Sequence, residues 1–294
     1  LMYFSFSSFR SRAMILMLCG SILISFTGLI IRNMDSAGAL EINFLRGISL
    51  SITVFLILFL RYGRASASKV IAVGKPGLVA GTLLAIAGIC LLQAMTNTTV
   101  AATLFICSSI PFVTACLAWF ILKEKITSFT LSVMLCAALG VSLMFLNGSG
   151  SKSNYGLFMA LLTAISFSVF AITVRKNRSI EMLPALAISG IIISLFCFTM
   201  IGKNFSFTWF DLFRCFLLGS FISLVPNMIF LYSSKHLLAA ELTFFMLIEF
   251  ALGPFWVWVF INEVPAFWTL IGGFIIMSSV MAFIWKEVKT QSLA

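Results

Sequence analysis

Ten stretches of roughly 19 residues or more run through this chain with almost no charge in them, a pattern that leaves few ways to fold in water. They lie near 13–31, 39–60, 70–93, 98–122, 126–146, 155–174, 182–201, 210–232, 237–261 and 265–285. Each is long enough for an α-helix to cross a hydrocarbon core, where every backbone N–H must find its partner within the same segment. Barrel strands are a poor fit, since they would show segments of about ten residues alternating in polarity. Composition agrees: 61% of residues are hydrophobic and 10% charged, against about 45–50% and about 25% in soluble domains. Mean hydropathy is +1.14, and 294 residues leave no room beside ten spans for a sizeable soluble domain. The expected fold is an all-α integral membrane protein of ten transmembrane helices.

The net charge of +10 is spread between apolar stretches and forms no single stripe, so it argues against a nucleic-acid partner and for membrane topology. Cytoplasmic loops carry an excess of Lys and Arg. With the N-terminus inside, Arg10, Arg12, Arg61, Arg64, Lys69, Lys75, Lys123, Lys125, Arg175, Lys176, Arg178, Lys235, Lys286 and Lys289 all fall on the cytoplasmic side. Only Arg32, Lys152 and Lys203 fall outside, and Arg46 and Arg214 lie within spans. This predicts both termini in the cytoplasm of a bacterial inner membrane. No small-x-small cleavage site precedes a soluble stretch, so the first span is expected to stay.

Seven cysteines sit in or at the edges of apolar stretches, without a CxxC pair and with His236 as the lone histidine. They read as small packing residues, and neither a metal nor a cofactor is expected.

The chain also repeats itself. Shifted by 139 residues, Ala101 meets Ala240, Phe105 meets Phe244, Trp119 meets Trp258, Glu124 meets Glu263, Thr130 meets Thr269 and Leu131 meets Leu270. Glu is rare here, so the Trp-to-Glu spacing weighs more than the apolar matches. Two units follow, 13–146 and 155–286. With five helices each, an odd number, the second must enter the membrane from the opposite side. Such inverted repeats are typical of secondary transporters, where exchanging the conformations of the halves moves a cavity from one side to the other.

Residues 91 to 127, LLQAMTNTTVAATLFICSSIPFVTACLAWFILKEKIT, resemble the fourth-helix signature of the drug/metabolite transporter superfamily, EamA type. Residues 231 to 273, LYSSKHLLAAELTFFMLIEFALGPFWVWVFINEVPAFWTLIGG, resemble its ninth-helix signature, and Arg46 in FLRGISL resembles an arginine often found in its second helix. The resemblance implies a ten-helix transporter with a central cavity between its halves and no ATPase domain, often exporting amino acids or related metabolites. Pro111 departs from the repeat, since its shifted partner is Phe250, flanked by Glu249 and Pro254.

An ionisable side chain inside a bilayer costs roughly 2.5–3.5 kcal/mol at a helix centre, so each one needs a reason. Glu249 lies near the middle of its span with no Lys or Arg close in sequence. It reads either as a cavity-facing carboxylate for an amino group or a coupling proton, or as a protonated carboxyl that locks helices together. Arg46, about seven residues into its span, reads equally as a substrate contact or as half of an ion pair. Glu241 and Glu41, at helix starts, read as partners of the helix dipole. Arg214, three residues after Asp211, reads as an interfacial pair.

Among uncharged residues, Asn227 stands out because it follows Pro226, which frees the carbonyl of Ile222. Ser109 and Ser223 are further polar candidates, and Trp256 a candidate for stacking on a planar substrate. Pro111, Pro226 and Pro254 are expected to bend their helices. Gly77 and Gly81 offer a face for close helix packing.

These readings predict a secondary transporter or exporter of a small polar metabolite, acting as a monomer or homodimer. An uncoupled facilitator or channel fits the same residues. A membrane-embedded enzyme would need a nucleophile with its base, or a cluster of metal ligands, at helical spacing.

Overall fold

Residues 9–32, 34, 38–98, 100–144, 154–201, 208–262 and 267–292 are described by a computed structural model. Glu263, Lys152 and Lys203 lie outside them. Among the described residues the regular structure is helical, with eight segments long and apolar enough to cross a bilayer. In chain order with two shorter apolar helices, they are α1 (Phe9–Ile31), α2 (Ala39–Ala65), α3 (Gly74–Asn97), α4 (Thr103–Ile121), α5 (Ser128–Leu143), α6 (Asn154–Lys176), α7 (Leu183–Ile201), α8 (Trp209–Ser233), α9 (Ala239–Phe260) and α10 (Leu270–Lys286). A short helix, Ser66–Ala72, follows α2.

Several spans are interrupted, each for a local reason. In α4 the helix stops at Cys107 and restarts at Ile110. Pro111 has no N–H and leaves the Cys107 carbonyl without its usual donor; the chain bridges the gap with tighter bonds, such as Ser109 N–H to the Ile106 carbonyl at 3.0 Å. In α8, Pro226 likewise frees the Ile222 carbonyl, and the turns before it widen into a π-helix over Leu218–Ser223. In α1, Ser25 and Phe26 form a turn, with Ser25 Oγ donating to the Ile22 carbonyl at 2.6 Å. The ninth span breaks at Met246, between Ala239–Phe245 and Leu247–Ile261. The bend expected at Pro254 is therefore displaced to Met246, and the helix continues through position 254.

Without a hydrophobic drive between helices in lipid, small residues decide where backbones approach. At the crossing of α2 and α7, a Cβ on Gly47 would lie 2.7 Å from the Gly190 carbonyl, and one on Gly190 would lie 2.6 Å from the Gly47 carbonyl. Ser51 Oγ donates to the Ala187 carbonyl at 3.1 Å and Ser194 Oγ to the Phe44 carbonyl at 3.2 Å, flanking the contact. Gly81 packs against the Ala185 carbonyl of α7, whereas Gly77 faces Val73 of its own chain segment. Further packed pairs are α3 with α6, α1 with α8, α4 with α6, α1 with α9, α4 with α9, and α5 with α10.

One end of the bundle is laced by ions. Arg175 Nε donates to Glu124 Oε1 at 2.7 Å and its Nη1 to the Ser234 carbonyl at 2.6 Å, while Glu124 Oε2 accepts from the Ala239 N–H at 3.1 Å. Arg10 pairs with Glu241 at 2.7 Å and Arg61 with Glu181 at 3.0 Å. Glu241 also accepts from the Leu238 N–H at 2.9 Å, and Glu41 from the Gly38 N–H at 2.7 Å, so both carboxylates finish helix N-termini as their positions suggested. Arg214 sits 3.6 Å from Asp211, as the spacing predicts.

Changing Gly190 to Val should destabilise the protein by about 1–3 kcal/mol, since neither backbone can retreat. Gly28, with nothing within 4 Å of its would-be Cβ, should accept Ala without loss. Thermal unfolding of the two variants in the same detergent checks the contrast, and equal midpoints would refute the crossing as a packing constraint.

Candidate functional site

Inside the bundle lies a cavity of about 170 Å³, walled by all the labelled helices except α5 and α10. Drug-sized pockets are roughly 300–1,000 Å³, so this one suits a small solute. Most of the wall is apolar, and its polar members converge from several helices: Ser21 and Thr27 from α1, Arg46 from α2, Thr163 from α6, Ser189 from α7, Ser223 and Asn227 from α8, and Glu249 from α9.

Arg46 is held in place from its backbone outward. The π-helical turn of α8 brings Gly219 against the Arg46 carbonyl so closely that a side chain there has no room. Ser49 Oγ donates to the Phe216 carbonyl at 2.8 Å and ties the same two elements. The guanidinium crosses to α3, where a Cβ on Gly88 would come within 3.1 Å of Nη2. Among the described residues Arg46 has no carboxylate within ion-pairing distance. The ion pair, one of its two sequence readings, is not formed among those residues.

Glu249 stands in the first turn after the break in α9, so the interruption at Met246 delivers it to the cavity. Among the described residues it makes no ion pair and its carboxylate accepts no protein hydrogen bond. The cavity wall thus carries one cation and one anion, each without a protein counter-charge among the described residues. Asn227 Nδ2 donates to the Ser223 carbonyl at 2.7 Å, which repairs the widened turn before Pro226 and leaves the amide oxygen free of that bond.

Two expected wall residues sit elsewhere. Ser109 Oγ turns back to the Ile106 carbonyl at 2.6 Å and does not line the cavity. Trp256 is also outside the lining; its indole N–H donates to Ser25 Oγ at 2.7 Å and its ring stacks on Phe26 at 4.5 Å, clamping the bend of α1. Pro226 lines the cavity, whereas Pro111 is buried at the restart of α4 and is not in the lining. Wall residues the sequence did not single out include Ser21, Thr163, Phe167, Ser189 and Phe230. Among the described residues, no group of three or more His, Cys, Asp or Glu side chains is placed to hold a metal.

Residues 11–146 match the EamA-like transporter family. No curated protein matches the chain. Among solved structures, one crystal structure superposes with a TM-score of 0.76 over 92% of this chain and 95% of its own, at 13% identity, a likeness of fold.

Trp256→Phe should keep the stack on Phe26 and lose the bond to Ser25, lowering stability by about 1 kcal/mol while leaving solute affinity unchanged. Paired melting and binding measurements test this; a loss of affinity at unchanged stability would return Trp256 to the binding surface.

Proposed function

We propose that this chain, whose residues 11–146 match the EamA-like transporter family and which carries eight helices long and apolar enough to cross a membrane among its described residues, is a secondary transporter or exporter of a small polar metabolite, an amino acid or a related compound. The observation that carries this reading is the pair of opposite charges on one cavity wall, Arg46 and Glu249, neither neutralised by a protein ion pair among the described residues. A zwitterion satisfies both at once, its carboxylate at the guanidinium and its ammonium at the carboxylate. Hydrogen bonds to charged groups contribute about 1.5–3 kcal/mol each, enough together for selective recognition of a solute this small. Asn227 and Ser223 supply the polar remainder of the site.

The transport cycle in this reading is alternating access by two inverted five-helix halves, within a ten-helix bundle of the bacterial inner membrane. Helix packing supports the repeat. Replacing each helix by the one five places along turns the pair α3 with α6 into α8 with α1, and α4 with α6 into α9 with α1, while α2 with α7, α4 with α9 and α5 with α10 map onto themselves. All of these pairs pack. The breaks in α4 and α9 also correspond: Cys107, the last helical residue before the first break, shifts by 139 residues onto Met246, the residue at which the second helix is interrupted. The excess of Lys and Arg at the ion-laced end supports termini in the cytoplasm. Pro111, Pro226 and the Met246 break are the places where the helices would bend as the halves exchange conformation.

Glu249→Gln should lower flux of amino acids in proteoliposomes or displace its pH dependence, with insertion and folding intact. A variant whose flux equals that of the parent at every pH removes Glu249 from the mechanism and leaves an uncoupled facilitator as the better description.

A further inference from the structure

A second cavity, about 400 Å³, lies at the ion-laced end of the bundle. Its rim carries Arg61, Arg178 and Lys235 against the single carboxylate of Glu181, and its floor is apolar, including Val174, Leu183 and Leu231. Glu181 is already engaged by Arg61 at 3.0 Å and by the Tyr62 hydroxyl at 2.5 Å. Arg178 and Lys235, from the α6–α7 and α8–α9 turns, are exposed and make no ion pair among the described residues.

Four helices line both cavities, with different residues in each. On α2, Leu50 lines the first and Arg61 the second; on α6, Phe167 and Val174; on α7, Ser189 and Leu183; on α8, Phe230 and Leu231. Between them, each of the first three helices contributes fully buried apolar side chains: Val54 and Leu58, Phe170, and Leu186. The aromatic members form one knot, with Phe170 stacked on Phe230 at 5.7 Å and Phe167 set at 5.4 Å from Phe170 and 5.7 Å from Phe230.

We infer that the second cavity is the basic-end vestibule of the same pathway, a site that gathers solutes through their anionic group, and that the knot of Phe167, Phe170 and Phe230 is the plug separating it from the central cavity. The inference rests on the transport reading above and deepens it. Clefts lined by one sign of charge raise the local concentration and arrival rate of the opposite charge. The spare cations of the rim act in this way on a carboxylate or phosphate, which then has one apolar layer to pass before reaching Arg46. Two elements thus divide the work: the rim selects charge, and the plug controls access.

The test needs no transported solute, so its outcome is separable from that of the flux assay. A reporter thiol, Ser223→Cys, is placed in the wall of the central cavity and labelled in membrane vesicles that expose the basic end. The probes are an anionic and a cationic membrane-impermeant methanethiosulfonate, with the site of labelling mapped by peptide mass. Phe170→Ala or Phe230→Ala should raise the labelling rate roughly tenfold, and the anionic probe should outrun the cationic one by a margin that Arg178→Gln with Lys235→Gln reduces severalfold. Unchanged rates in plug variants that elute as folded protein would overturn the plug. A charge ratio indifferent to the two cations would overturn the vestibule. Should neither plug variant fold, the exposed cation pair in the intact background still decides, because its effect on the charge ratio is predicted there as well.

Discussion

Inside a bilayer a charge is tolerated only where it is paired or where water reaches it, and this constraint organises the whole molecule. The structure follows both routes and keeps them apart. At the ion-laced end, Arg10, Arg61 and Arg175 are matched to Glu241, Glu181 and Glu124. In the interior, Arg46 and Glu249 are instead held on the wall of a cavity. Matched pairs stitch helix ends together; unmatched charges on a wall invite a ligand that carries the missing partners.

Presenting those charges requires helices that are not straight. An unbroken α9 would carry its carboxylate along a continuous apolar surface, whereas the restart at Leu247 places Glu249 in a first turn beside the cavity. The widened turn of α8 serves the opposite partner, because it brings Gly219 against the Arg46 carbonyl and leaves Asn227 and Ser223 on the wall. Irregular backbone at membrane depth survives only where it lines a cavity or is buried in protein. Here the interruptions of α8 and α9 both border the cavity.

The spans were legible in the sequence because hydropathy over about 20 residues is a strong signal, and Arg46 and Glu249 were legible because charges are rare within them. The helix break at Pro111 was readable for the same kind of reason, a residue that lacks a donor. The break at Met246 was not, since no residue type there announces it; Pro254 drew attention to a position about two turns away. Wall residues such as Thr163, Ser189 and Phe230 were hidden because hydropathy does not say which face of a uniformly apolar helix meets lipid. The place of Trp256 outside the cavity lining was hidden for a related reason: the partner of its indole N–H, Ser25, is on a helix far away in sequence. Glu124 drew notice through its repetition at Glu263, and its work, joining Arg175 to the Ala239 amide, is structural.

In the proposed function, two opposite charges on one wall recognise two opposite charges on one solute. Binding of a zwitterionic amino acid, its decarboxylated amine and its deaminated acid to the purified protein, measured by titration calorimetry across a panel of side chains, addresses it directly. At least one amino acid should bind, and each half-analogue should lose about tenfold or more in affinity, the loss expected when a charge-assisted contact is deleted. An amine or an acid that binds as tightly as its parent zwitterion would contradict the account.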